Sequence, residues 1–258
     1  SRQHQPLRPS KRSMGSQNST HMALNIALVG YGKMGREIEA CAQFCGHQIV
    51  LRVGREGLAS HDLNSVDVAI EFTQPDAAFG NVQTLLRAGI PTVCGTTGWF
   101  DRIPELDTGR TPLVYASNFS LGVNIAFQVN RYMAKLMAPH ADYIARIEEI
   151  HHTAKKDAPS GTAITMAEGI LAENMLLKGW ELEPGASAES LPITAIRKDS
   201  VPGTHTVTYD SSMDQISLTH VAHSRAGFAL GAVLAAERIQ TLPAGSHTFT
   251  SLLFPLAE

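Results

Sequence analysis

The run Asn25-Ile-Ala-Leu-Val29 is apolar and of strand length, and it leads directly into Gly30-Tyr-Gly32-Lys-Met-Gly35. Ile38, Cys41, Ala42 and Cys45 then follow at helical spacing up to Gly46, which is placed to cap a helix C-terminus. Strand, glycine turn and helix are the context in which G-x-G-x-x-G seats a dinucleotide. Gly30 permits the tight turn, Gly32 lets a pyrophosphate reach the backbone, and Gly35 lets the helix lie close on the strand. A purely structural glycine turn does not require that context. Gly30, Tyr31, Gly32, Lys33, Met34 and Gly35 are therefore expected to form the cofactor-binding turn.

The chain continues to alternate. Val66 to Phe72 reads as a buried strand, Thr73-Gln-Pro75-Asp76 starts a helix lasting to Gly89, and Pro91 to Cys94 is another strand. Leu113 to Ala116 is the next strand, and Asn118-Phe119-Ser120 precedes a helix reaching about Met137. This predicts an α/β, Rossmann-like doubly wound parallel sheet with its ligand site at the carboxyl ends of the strands. Thr73, Gly95, Thr96, Thr97, Ser117, Asn118 and Phe119 fall at those ends and are expected to line the nicotinamide side. Taken singly, each is ordinary turn chemistry.

After residue 118 the pattern changes. Residues 143–152, 193–197, 204–210 and 215–221 read as strands of a mixed sheet, with a helix from Ser160 and a Gly-, Ala- and Ser-rich loop around Pro184 to Ser190. Gly227 to Ile239 is again an Ala-rich helix. Residues 23–118 with 227–258 are thus expected to form the dinucleotide-binding domain, and 119–226 a second, α+β domain for substrate binding and oligomerisation.

The strand Gln48 to Val53 ends in Val53-Gly54-Arg55-Glu56, without the acid expected immediately after it for an NAD ribose. Arg55 is placed to meet a 2′-phosphate, which tilts the reading to NADPH. Glu56 keeps NADH open, and Arg55 can also be read as a plain surface charge.

Hydrophobic residues make up 43% of the 258, enough for cores, and no apolar run approaches the 18 or more residues of a membrane span. Residues 1–22 carry Arg2, Arg8, Lys11 and Arg12 with no acids and no periodicity. They are expected to be a disordered tail, ending in Ser-Thr-His-Met like a cloning scar; a targeting peptide is the alternative. The net charge of −3 leaves the rest of the chain near −7, which argues against a nucleic-acid surface. Three cysteines suggest free thiols in a reducing compartment, hence a cytoplasmic protein.

The segment Glu149-Ile-His-His-Thr-Ala-Lys-Lys-Asp-Ala-Pro-Ser-Gly-Thr162 says most about chemistry. His151 and His152 end a strand and are expected to point to opposite sides. Pro159 and Ser160 start a helix whose first amides, at Gly161 and Thr162, suit a carboxylate or phosphate. With Lys155 and Lys156 nearby, the expected guest is a small anion that needs a proton. The bland reading is a solvated Lys-Lys turn beside satisfied histidines. No metal site is expected, since adjacent histidines point apart and no third His or Cys falls at ligand spacing.

This segment resembles the signature of the dihydrodipicolinate reductase (4-hydroxy-tetrahydrodipicolinate reductase) family, E-x-H-H-x-x-K-x-D-x-P-S-G-T. Gly30 to Gly35, Phe72-Thr-Gln-Pro75, Cys94-Gly-Thr-Thr-Gly98, Ser117-Asn-Phe-Ser-Leu-Gly-Val-Asn124 and His220 to Gly231 support the resemblance, in the family's order over nearly all of residues 24–240. It implies NADPH- or NADH-dependent reduction of an unsaturated cyclic imine dicarboxylate to tetrahydrodipicolinate, on the diaminopimelate and lysine route. By position, His151 and Lys155 match the family's proton-donating pair and His152 a substrate contact. Ser160, Gly161 and Thr162 match the helix start that takes a substrate carboxylate. Lys156 is an additional cation, expected to make Lys155 a readier acid. The resemblance also implies a homotetramer built through the second domain's sheet. Many members carry Arg-His where this chain has Thr153-Ala154, which weakens any account of fine substrate positioning. Another two-domain dehydrogenase shares the glycine turn but gives no reason for Pro-Ser-Gly-Thr beside His-His. A non-catalytic nucleotide sensor gives no reason to keep His151 and Lys155.

Overall fold

A computed structural model describes residues 22–255, so the expectation for the 1–22 tail lies almost wholly outside the described residues. The first sheet contains β1 (Asn25–Val29), β2 (Gln48–Val53), β3 (Val68–Glu71), β4 (Thr92–Cys94), β5 (Pro112–Tyr115) and β11 (Gly245–Thr248). Its order is β11-β5-β4-β3-β1-β2 and every pairing is parallel. The order reverses at β1, which has β2 on one side and β3 on the other, so a crevice opens there at the strands' carboxyl ends.

Alternate residues of β1 serve two cores, because successive side chains leave a strand on opposite faces. Ile26 and Leu28 pack with Ile38 and Ala42 of α1 (Lys33–Phe44) and with α5 (Ala226–Arg238). Ala27 and Val29 pack on the other face with Leu85 of α2 (Pro75–Arg87). Helix α1 ends as expected: Gly46, at φ +91°, donates to Gln43 O, and His47 N reaches Ala42 O, the paired bonds of a glycine-terminated helix.

The second sheet has the order β10-β9-β6-β8-β7. Its strands are β6 (Ile144–His151), β7 (Gly179–Leu182), β8 (Ser190–Arg197), β9 (Thr204–Asp210) and β10 (Gln215–Val221). β6 pairs antiparallel with β9 and parallel with β8, so the sheet is mixed. One face is covered by α3 (Leu121–Met137) and α4 (Gly161–Leu171), where Phe127, Met166 and Ile170 meet Ile147, Ile193 and Val207. Ile144, Ile196 and Ile216 remain exposed on these strands.

Three elements were not foreseen: β7, β11 and α6 (Phe249–Leu253). Each is four or five residues long, too short for a period to show, and β11 (Gly-Ser-His-Thr) lacks an apolar run altogether. β8 also begins at Ser190, inside the span read as the end of a loop, because its parallel pairing to β7 starts there.

Helix α5 returns to the first sheet and docks through Gly231. A Cβ at that position would lie 1.6 Å from the carbonyl oxygen of Phe119, so only glycine permits this approach. The two sheets are joined by the segments that lead into α3 and into α5, and the cleft lies between them.

Candidate active site

Strand β6 carries the central pair. Ala145, Ile147, Glu149 and His151 alternate along its buried face, so the face that builds the apolar core ends in a carboxylate and an imidazole. Glu149 is fully buried. Its carboxylate contacts His151 Nδ1, accepts from Arg197 Nη2 at 3.0 Å and from the Ser160 amide at 3.2 Å. Burial raises its pKa, but the bonds from His151 and Arg197 outweigh this and bring the carboxyl down to about 2. Arg197 also donates to the carbonyl of Asp157 at 2.6 Å, which ties the 155–160 loop to the sheet.

His205, opposite Glu149 on β9, completes the buried cluster. Its Nε2 meets Ser160 Oγ at 2.9 Å, and burial followed by the charge on His151 pushes its pKa down to about 3. The third histidine that sequence spacing did not supply is therefore furnished by strand pairing, and Glu149, His151 and His205 offer ligand atoms within 4.8 Å of one another. The donor set nevertheless does not suit a metal. Glu149 is engaged by Arg197 and by His151 Nδ1, and a cation there would sit beside a guanidinium.

His151, Ser160 and His205 help line a cleft of about 560 Å³. From the first half of the chain it receives Met34, Phe72, Gly95, Thr97, Ser117 and Asn118; from the second, His151, His152, Lys155, Ser160, Gly161 and Thr162. Ser160 caps α4, accepting from the Ala163 amide at 3.1 Å, and the first turn of that helix opens onto the cleft. Although the two adjacent histidines leave the strand in opposite directions, both reach the cleft. His152 also borders a neighbouring cavity of about 280 Å³ with Lys33, Glu37 and Arg225. Partial burial, then the charges of Arg225, His151, Lys155 and Lys33, lower its pKa.

Several expected site residues take other places. Lys156 is exposed and lines neither cavity. The charge nearest Lys155 is instead the carboxylate of Asp157, with both oxygens 2.8 Å from Nζ, because the turn folds Asp157 back beneath it. Phe119 is wholly buried in an aromatic group with Phe72, Phe228 and Phe249, so its side chain serves the core. Thr96 is also buried: its hydroxyl donates to Glu71 at 2.7 Å and accepts from the Thr73 amide at 2.8 Å. Glu71, fully buried at the end of β3, also receives Thr73 Oγ1 and Cys94 Sγ and so holds the loops after β3 and β4 together.

At the glycine turn, Gly30 has φ +95° and a Cβ there would lie 1.8 Å from the Phe72 carbonyl oxygen; close approach and conformation both demand glycine. Gly32 is exposed and Gly35 is buried against the turn. Tyr31 turns away to donate to Glu39, with the guanidiniums of Arg36 and Arg52 5.7 and 5.8 Å from its ring centre, so only its backbone serves the turn. Arg55 is exposed at the end of β2, while the Glu56 carboxylate folds back to accept from the Gly54 amide at 2.7 Å.

Sequence reasoning assigned no role to Glu149, Arg197, His205, His220, His223 or Arg225. The last three line the cleft, His220 from the end of β10 and His223 and Arg225 from the segment that follows it. Their signal was present in His220-Val-Ala-His-Ser-Arg225, whose spacing matches no metal or nucleophile pattern and so gave no chemical role.

The glycine turn and the Glu149–Thr162 segment thus border one cleft, and both halves of the chain match one family. Residues 24–119 match the family described as "Dihydrodipicolinate reductase, N-terminus" and residues 122–253 the one described as "Dihydrodipicolinate reductase, C-terminus". The chain belongs to the dihydrodipicolinate reductase family. It is 50% identical over 223 residues to the 4-hydroxy-tetrahydrodipicolinate reductase of Christiangramia forsetii, covering 84% of this chain and 92% of the relative. It is 38% identical over 201 residues to that of Archaeoglobus fulgidus, covering 72% and 76%. The fold is shared with a dipicolinate-bound dihydrodipicolinate reductase from Paenisporosarcina sp. TG-14, with TM-score 0.65, 20% identity, and 88% and 98% of the two chains covered. As a member of the dihydrodipicolinate reductase family the chain is an NADH- or NADPH-dependent enzyme, with the nucleotide carried by its N-terminal half. No helix among the described residues is long and apolar enough to cross a membrane.

Proposed function

We propose that this chain reduces the cyclic imine dicarboxylate 4-hydroxy-tetrahydrodipicolinate to tetrahydrodipicolinate, with His151 and Lys155 as the proton donors. The observation that carries this reading is the meeting of His151, Lys155 and the start of α4 with Phe72, Gly95 and Thr97 around one cleft. Loss of the 4-hydroxyl as water leaves a conjugated imine, and a bound nicotinamide would supply hydride to one of its carbons. Electron density then moves onto the neighbouring carbon or nitrogen, and a positioned acid supplies the proton there. One substrate carboxylate fits the amides of Gly161 and Thr162, and the other fits the guanidinium of Arg225, with His152 beside it. Gly30, Gly32, Lys33, Met34 and Gly35 take the pyrophosphate, with Arg55 toward a 2′-phosphate when NADPH is used.

Dinucleotide binding by residues 23–118 with 227–258, and substrate binding by 119–226, belong to the same proposal. So does a homotetramer formed through the second sheet; the exposed Ile144, Ile196 and Ile216 on its strands support it. A cytoplasmic setting is supported by three unpaired cysteines. The test is oxidation of NADPH and NADH by the purified protein with substrate made fresh from pyruvate and aspartate semialdehyde. Rapid substrate-dependent oxidation is expected; nucleotide binding without consumption would overturn the reading.

A further inference from the structure

The carboxylate of Glu149 lies at the centre of the buried cluster, yet it touches neither the cleft nor the expected substrate. Three groups converge on it: His151 Nδ1, the Arg197 guanidinium at 3.0 Å and the Ser160 amide at 3.2 Å. His151 Nδ1 and Glu149 Oε2 are buried in contact with each other and have no other hydrogen-bond partner among the described residues; a carboxylate only accepts, so Nδ1 is the nitrogen suited to carry a proton there. Nε2 is left without a hydrogen-bond partner among the described residues, in a ring that lines the cleft beside Gly203, where a Cβ would come within 3.0 Å of it.

We infer that Glu149 is a positioning residue for the reduction: it holds the His151 imidazole through Nδ1, presents Nε2 to the cleft and offsets the positive charge of the ring. Through the Ser160 amide the same carboxylate fixes the start of α4, so proton donor and anion-holding turn are set by one group. This inference rests on His151 acting as a proton donor. The titratable and charged groups around the ring are Glu149 on β6, His152 just after it, Arg197 on β8, His205 on β9, His220 on β10, and Lys155 and Asp157 in the loop before α4. Glu149 is the anion in direct contact with the ring. An imidazolium that loses a touching carboxylate gives up its proton more readily, and a ring without that acceptor is free to turn.

The experiment measures kcat and KM from pH 5.5 to 9.5 for the full chain and for Glu149→Gln, Glu149→Asp and His151→Asn, with the NADPH dissociation constant for each. His151→Asn should remove the lower-pH limb of the alkaline fall, the part the imidazole imposes, and leave the limb set by the Lys155 ammonium. Glu149→Gln should lower kcat about tenfold or more at pH 8 and move that fall to lower pH, with little change in NADPH affinity. Glu149→Asp, which keeps the charge, should restore most of the pH profile. Should Glu149→Gln leave Arg197 too poorly paired for the chain to fold, Glu149→Gln with Arg197→Gln is measured in its place and carries the same expectation. A uniform loss of kcat at every pH in these variants, with the alkaline fall in place, would overturn the positioning role while leaving His151 as donor. An unchanged alkaline fall in His151→Asn would instead remove the donor assignment, and the role of Glu149 would fall with it.

Discussion

The imidazoles of His151 and His205 stand edge to face, with ring centres 5.0 Å apart and planes inclined by 70°. They meet because β6 and β9 pair antiparallel with Glu149 opposite His205. His151 borders the cleft and leans on Glu149, whereas His205 is sealed behind it against Ser160.

This difference predicts acid sensitivity. Burial holds the His205 pKa at about 3, below its ordinary value of 6.5, so the unfolded chain binds a proton that the folded one refuses. Stability should be fully present above pH 6.5 and fall as pH drops through the window from 6.5 to 3, by about 2 kcal/mol at pH 5. Glu149, at about 2 against 4.5, adds a further loss below pH 4.5. Urea unfolding at pH 7 and pH 5 checks this, and His205→Gln should flatten the difference between them.

Lys155 and Lys156 are neighbours in sequence with different surroundings, so their alanine variants should differ. Lys155→Ala and His151→Ala should each cut turnover by roughly a hundredfold or more with nucleotide binding intact. Lys156→Ala should leave kcat and KM within about twofold of the parent, because that side chain is exposed and outside the cleft. Steady-state kinetics with a nucleotide titration decides both.

Gly95→Ala should weaken nucleotide binding by roughly tenfold. The new Cβ would lie 2.0 Å from the Phe72 ring, and overpacking of this kind typically costs about 1–3 kcal/mol, here by displacing a side chain that lines the cleft. Unchanged nucleotide fluorescence titrations would refute it.

Gly231→Ala tests the return of α5 to the first sheet. With the Phe119 carbonyl 1.6 Å from the added carbon, the helix must move away, and the melting temperature should fall by several degrees or the chain should fail to fold. Differential scanning calorimetry reads the outcome directly.

Arg55→Ala should raise the dissociation constant for NADPH about tenfold and leave NADH nearly unchanged, the usual scale for a hydrogen bond to a charged group. Equal effects on both nucleotides would make Arg55 a surface charge only.

Much of this protein could be read from local pattern. The apolar run at Ile26 to Val29, the glycine turn and the alternation along β6 are encoded within a few residues by strand and helix periods, and Glu149 to Thr162 displays its chemistry in order. The tertiary structure decided what lies beyond that range. Parallel pairing to β7 and β5 made strands of short segments with little pattern of their own. Antiparallel pairing brought His205, 54 residues beyond His151 in the chain, to the same buried carboxylate. Packing sent Phe119 and Thr96 inward, and the turn at Asp157 separated Lys155 from Lys156. Periodicity records which face a side chain takes on its own strand or helix; which groups meet there depends on strand register and on the close contacts that glycine permits between elements distant in sequence.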